Sequence, residues 1–214
     1  MTKYKIGILA YGSLIDNAGK EIAPIIIDRI NCKTPFKVEF ARTSSSRGGA
    51  PTLIPHETGN HVNAVILVLK NSTDLDYAKS ILWRRERHKF DGKKYVNVIN
   101  PTINQVEVLS IKDFEDVETV IYTSIRKNIE EAIDAEKLSH LAIKSILSEA
   151  GNEKKDGVRY LLDAKNNSIV TRLSGEYEQL ILNKTKTETL EEAIEKLDLQ
   201  RINNPNSNLP SDFK

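Results

Sequence analysis

Short apolar runs separated by polar or Gly- and Pro-bearing breaks fill the first two-thirds of the chain, the pattern of a mixed α and β domain. Ile6 to Ala10 reads as a buried strand stopped by Gly12. Ala18 to Ile30 carries Ile22, Ile25, Ile26 and Ile30 at near-helical spacing, with Pro24 confined to the start of any helix there. Lys37 to Thr43 reads as a strand with Val38 and Phe40 on one face, and SSSRGGAP, 44–51, as a loop. The strongest strand signal is the β-branched run of Val62 to Leu69. Thr73 to His88 is expected to be a helix, capped by Thr73, with Asp74 and Asp76 at the positive end of its dipole and Leu75, Ala78 and Leu82 on one face. Tyr95 to Ile99, Val106 to Ile111 and Val117 to Ser124 read as further strands, the first two joined through Asn100-Pro101.

Beyond residue 126 the strand signals stop. Leu138, Leu141, Ala142 and Ile146 form a helical stripe with Gly151 as its C-cap. Asp156 is placed to cap a short helix carrying Tyr160, Leu161 and Leu162, and Ser174 to open one carrying Tyr177, Leu180 and Ile181. Thr189 with Glu192 matches a capping box for a last helix. The organisation expected is a mixed domain over 1–126, a helical part over 127–199 packed on it as one structural unit, and a disordered tail over 200–214, which is polar and Pro-interrupted.

Composition narrows the function classes. The 214 residues are enough to bury a core without disulfides or metals. The 31 basic and 30 acidic residues leave a net charge of +1, which provides no electrostatic footprint for nucleic acid or a membrane surface. Cys32 is the single cysteine, so no intrachain disulfide forms, as suits a reducing cytosol. Nowhere do 18 apolar residues run together. A cytoplasmic protein is expected.

Candidate chemistry is sparse. His56, His61, His88 and His140 form no pair with metal-ligand spacing, and no phosphate-binding glycine loop or serine-nucleophile elbow occurs. Neither a metal nor a cofactor is expected. Two features stand out. Tyr11, Gly12, Ser13 and Leu14 leave the first strand through residues that expose backbone N–H groups and a hydroxyl. Glu86 lies inside LWRRERH, an acid among cations near the end of a predicted helix. Read alone, that run is a solvated helix end and Glu86 a surface ion-pair partner.

The order of these features resembles the γ-glutamylcyclotransferases, and within them the ChaC-like branch. YGSL after the first strand matches that family's loop. Glu86, ahead of the aromatic segment beginning at Tyr95, matches its single catalytic glutamate. The stretch Arg42 to Gly48 is similar to the branch's arginine-bearing loop, and Leu141 to Leu162, with EAGNEKKDGVRYLL, is similar to its C-terminal helical part. The resemblance runs from about residue 5 to 183. It implies an α+β fold built on a small mixed β-barrel with surrounding helices.

It also implies a cofactor-independent reaction, classed as a lyase or acyltransferase. The α-amine of a γ-glutamyl compound, glutathione or another γ-glutamyl amine, attacks its own γ-carbonyl and releases 5-oxoproline and the free amine. The resemblance gives Glu86 the proton transfers. It gives the cradling of the substrate to Tyr11, Gly12, Ser13 and Leu14, and the α-carboxylate to Arg47 or Arg42. Tyr95 and Tyr122 are candidates for the pocket lining, although buried strand tyrosines are more often core residues. The alternative is a non-catalytic small-molecule binding or protein-interaction module on the same fold. An interaction module would expose an apolar stripe on the 138–147 helix.

Overall fold

In a computed structural model that describes residues 4–130 and 132–203, the run from Ile6 to Ala10 lies inside strand β1, Tyr4–Ala10. The fold is mixed α+β. Its described elements divide into two units, one taking the chain up to Phe36 and then His61–Arg126, the other taking Lys37–Asn60 and the chain from Lys127 onward.

The first unit is a five-stranded mixed sheet and one helix. Its strands are β1, β2 (Ile26–Lys33), β5 (Asn63–Leu69), β6 (Glu107–Phe114) and β7 (Val117–Ser124), in the order β2-β5-β1-β7-β6. β5 is antiparallel to both β1 and β2, with Ile8 opposite Leu67 and Ile30 opposite Ile66. β1 is parallel to β7, with Ile8 opposite Ile121. Helix α1, Leu75–Glu86, links β5 to β6 and buries Ala78, Ile81 and Leu82. The inner strands β1 and β5 read as buried apolar runs, whereas the edge strands β2 and β6 carry exposed polar residues.

Several boundaries differ from expectation. The near-helical spacing over 18–30 is resolved as one 3₁₀ turn, Ala23–Ile25, with Pro24 inside it, followed by β2. Three successive isoleucines favour extended backbone once an edge of β5 is available, and a register shift between Ile26 and Asp28 sets Ile26 opposite Leu69 and Ile30 opposite Ile66. Asp74, not Thr73, caps α1, accepting from the N–H groups of Asp76 at 2.9 Å and Tyr77 at 3.0 Å. Residues 95–99 are not a strand. They are irregular, and Val96 and Ile99 are 72% and 88% exposed, so the period-2 pattern there has no sheet face to cover.

The second unit sets a two-stranded hairpin against helices. Its strands are β3, Val38–Ser44, and β4, Ala50–Pro55. β4 overlaps the expected loop. Pro51 and Pro55 hide it from pattern reading, yet both are tolerated in a sheet whose two strands are both edges. The helices are α2 (Ala135–Ile146), α3 (Glu149–Asn152), α4 (Gly157–Asn166), α5 (Ser174–Thr185) and α6 (Leu190–Asn203). Gly151 lies within α3 and does not cap α2, which stops at Leu147. α5 opens at Ser174 as expected, with Leu173 in the N-cap position and the Ser174 hydroxyl accepting from the Thr171 N–H. Thr189 accepts from the Glu192 N–H at 3.2 Å, but the Glu192 carboxylate returns to Glu188, so the capping box closes one residue early. α6 continues to Asn203, so residues 200–203 are helical, and the rest of the expected tail, 204–214, lies outside the described residues.

The core of this unit joins β3 to the helices through aromatic edges. The Phe40 ring meets Tyr177 edge-on at 5.4 Å and Tyr160 at 6.2 Å. Buried Glu39 accepts from its neighbour Phe40 N–H at 2.9 Å and from Leu173 N–H at 3.3 Å, an anion at the start of α5 where the helix dipole favours it. Asp156 is fully buried. It caps α4 through the N–H groups of Val158 and Arg159 and also takes the Arg159 guanidinium at 2.6 Å. Arg159 continues to Asp198, and Arg201 reaches both Asp198 and the Ile146 carbonyl at the end of α2. Burial opposes ionisation of Asp198, but its bonds to the two arginines outweigh that and hold its carboxyl below the usual range.

Two predictions follow from these packing arrangements. Asp156→Ala removes a helix cap and leaves a half-buried guanidinium short of a partner. It is expected to lower stability by about 2–4 kcal/mol in chemical denaturation, with Asp156→Asn, which keeps the cap acceptor, losing less. Burial, and then the nearby Glu115 charge, push the Cys32 thiol up to about 11, although a hydrogen bond with the Ile66 backbone acts the other way. The folded chain therefore keeps the thiol proton where the unfolded chain, with an ordinary thiol pKa near 8.5, has lost it. Stability falls as pH rises between those values and is flat below them. Cys32→Ala should remove that part of the slope in denaturation curves taken from pH 8 to 11.

Candidate functional site

β1 and β7 run parallel, so their carboxyl ends lie side by side, and the chain leaves β1 there through Tyr11 to Leu14. Tyr11 is held in place. Its hydroxyl donates to the Thr123 carbonyl on β7 at 3.0 Å, and its ring meets Phe36 edge-on at 5.5 Å, with the Tyr122 ring also 4.6 Å from that of Phe36. Burial raises the Tyr122 phenol above its ordinary value, so it stays neutral.

After Tyr11 the backbone turns sharply. Gly12 has φ 114°, a conformation side chains avoid, which explains glycine at this position. The turn is closed from behind. Ile15 N–H donates to Gly12 O, and Asn17 N–H to Ser13 O, both at 3.0 Å. The N–H groups of Gly12, Ser13 and Leu14 meet no protein acceptor among the described residues. Three successive donors left open at one turn form the kind of concavity that receives a carbonyl or an anion.

The segment after this turn is tied to the end of α1. Arg85 donates through Nε and Nη2 to the Asn17 carbonyl at 3.2 and 2.8 Å. Arg84 is buried and makes a two-pronged pair with Glu21, Nε to Oε2 at 3.0 Å and Nη2 to Oε1 at 2.6 Å, while Nη1 donates to the Lys93 carbonyl. Its bond to Glu21 raises the Arg84 pKa further, burial opposing. Arg29 of β2 also donates to the Ile15 carbonyl at 3.0 Å. Glu86, half-buried, is the last residue of the helix that these contacts anchor.

Tyr95 belongs to the same end of α1. Its N–H donates to the Ser80 hydroxyl, its own hydroxyl accepts from Val108 N–H at 3.0 Å, and its ring lies 6.1 Å from that of Trp83. It therefore pins the irregular segment to α1 and β6 without being part of a strand. Arg42 and Arg47 lie in the other unit. Arg42 sits on β3 beside a register shift, where burial lowers its pKa. Arg47 stacks over the Tyr160 ring at 4.7 Å and donates to the Lys155 carbonyl, so part of its cation is engaged in ordering its own loop. Among the described residues no group of three or more His, Cys, Asp or Glu is arranged to hold a metal, and no helix is long and apolar enough to cross a membrane.

Reading LWRRERHK as a solvated run missed two roles. Arg84 is a buried structural cation whose partner, Glu21, lies far away in sequence. Arg87 stacks its guanidinium over Trp83 at 3.9 Å, and the Trp–Arg spacing of four residues within a helix was the available signal. Glu21→Ala should destabilise the chain by about 2–3 kcal/mol, because it leaves Arg84 buried and unmatched. The double variant Glu21→Leu with Arg84→Met should recover most of that loss, as measured by denaturant midpoints.

Neither a family model nor a curated protein matches this chain.

Proposed function

We propose that this chain is a γ-glutamylcyclotransferase of the ChaC-like kind, cytoplasmic, on a mixed sheet that belongs to a small β-barrel. The observation that carries this reading is the turn of Gly12, Ser13 and Leu14, with three N–H groups open at the carboxyl end of β1. Intramolecular aminolysis needs such a turn. As the substrate α-amine adds to the γ-carbonyl, the carbonyl oxygen takes up negative charge, and donors already aimed at it stabilise the transition state by about 3 kcal/mol each. The same cradle bends the glutamyl chain so that amine and carbonyl approach, which supplies the proximity contribution.

Glu86 completes the chemistry. At neutral pH the α-amine, with a pKa near 8, is mostly protonated. The Glu86 carboxylate takes that proton, the C–N bond to the new ring forms, and the tetrahedral intermediate collapses. The proton then passes to the departing nitrogen as its bond to the former γ-carbon breaks. The products are 5-oxoproline and the free amine, and protons and electrons balance with no other reactant. The anchoring of the α1 end by Arg84 and Arg85 supports this role, since a proton-transfer group must be held steady. The interaction-module alternative has less support. Leu138, Ala142 and Ile146 of α2 are buried and Leu141 is half-buried, so most of the stripe it requires is not exposed.

The test is incubation with a panel of γ-glutamyl compounds, with 5-oxoproline read by mass spectrometry. Glu86→Gln keeps the shape and the hydrogen-bonding capacity but cannot take the proton. It is expected to lower kcat by about 10²–10⁴-fold, with KM changed far less and the thermal midpoint nearly unmoved. Wild-type turnover in that variant would reject the mechanism.

A further inference from the structure

The three arginines near the end of α1 are used differently. Arg84 donates three hydrogen bonds to protein acceptors and Arg85 two. Arg87, one residue past Glu86, has no side-chain hydrogen bond to protein among the described residues. Its Nη1 is shut off from solvent with no acceptor. Yet the group is not loose, because its guanidinium carbon lies 3.9 Å from the centre of the Trp83 ring. Trp83 is itself steadied by Tyr95, which is bound to Ser80 and Val108. The aromatic face fixes the plane of the cation and leaves its N–H edge without a partner.

A buried charged donor without an acceptor is costly, and such a donor calls for a partner, whether a water, an ion or a ligand. A planar fork of N–H groups held flat on an indole is matched by a planar pair of oxygens, which is a carboxylate. Turning the guanidinium in its own plane would preserve the stack on Trp83 while bringing Nη1 to an incoming carboxylate. The residue as a whole is half-exposed, which leaves a path from solvent.

We infer that Arg87, stacked on Trp83, binds a carboxylate of the substrate and anchors it beside Glu86. The inference rests on the cyclotransferase reading, and it moves the anchoring role from Arg42 and Arg47 to the helix that carries the proton-transfer group. Two carboxylates qualify, the α-carboxylate of the glutamyl half and a carboxylate on the amine half, and the chemistry of recognition is the same for both.

Trp83 is the only tryptophan of the chain, so its fluorescence reports on this stack. Acetate, added at constant ionic strength with chloride as the control, should give a saturable change in emission in the wild type. That change should be absent in Arg87→Gln and partly restored in Arg87→Lys, with the thermal midpoint and circular dichroism recorded to show that the variants fold. This arm needs no turnover. A null result in folded wild-type protein overturns the inference and leaves the cyclotransferase reading to the Glu86→Gln test.

The second arm compares γ-glutamylglycine with γ-glutamylethylamide. Arg87→Gln is expected to raise KM by about 10–100-fold while kcat changes little, the loss typical of a charge-assisted bond. An equal rise for both substrates assigns the α-carboxylate. A rise for γ-glutamylglycine alone assigns the amine half. Unchanged KM for both overturns the inference even if acetate binds.

Discussion

The parallel pairing of β1 with β7 is the constraint on which the first unit depends. Every other neighbour pair in that sheet is antiparallel and brings a carboxyl end beside an amino end. The single parallel pair brings two carboxyl ends together, and the turn of Gly12 leaves the sheet at that place. Tyr11 spans the pair by donating to the Thr123 carbonyl, so sheet geometry and turn geometry are linked by one hydroxyl. Parallel neighbours also require a long connection, and α1 with its anchored C-terminal end lies within it.

Much of this was legible in the sequence, for reasons that differ by element. β1 and β5 are largely buried apolar runs, and β7 holds the buried Val120 and Ile121 at its centre, so apolar character marks all three. α1 is marked by periodicity and by acids at its start, and only its cap is displaced, to the aspartate whose carboxylate reaches two N–H groups. β2 was hidden because its isoleucines, with Ile22 and Ile25 ahead of it, fall at near-helical spacing, and β4 because it contains two prolines. Residues 95–99 show the opposite failure. Their alternation is real, but no neighbouring strand takes them up, and Tyr95 holds the segment through side-chain and backbone bonds instead.

The candidate site was legible to a different degree. The turn at Gly12 was readable because few residue types leave a strand in that way. The contacts that steady the end of α1 were not, since Glu21 and Arg84 are 63 positions apart and no local pattern joins them. The surroundings of Arg47, which the family resemblance offers as a carboxylate ligand, were equally hidden, since the Tyr160 ring and the Lys155 carbonyl that it meets lie far along the chain.

The hairpin of β3 and β4 interrupts the first unit in sequence while contributing to the second. On the ribosome this imposes a waiting period. Val38, Phe40, Leu53 and Ile54, all buried in the folded chain, emerge well before the helices that cover them. At about 5–20 residues per second, the synthesis of residues 61–126 alone leaves that apolar hairpin uncovered for several seconds. During that interval the nascent chain presents two edge strands and no core for them, so the hairpin is the segment most in need of a chaperone's shelter.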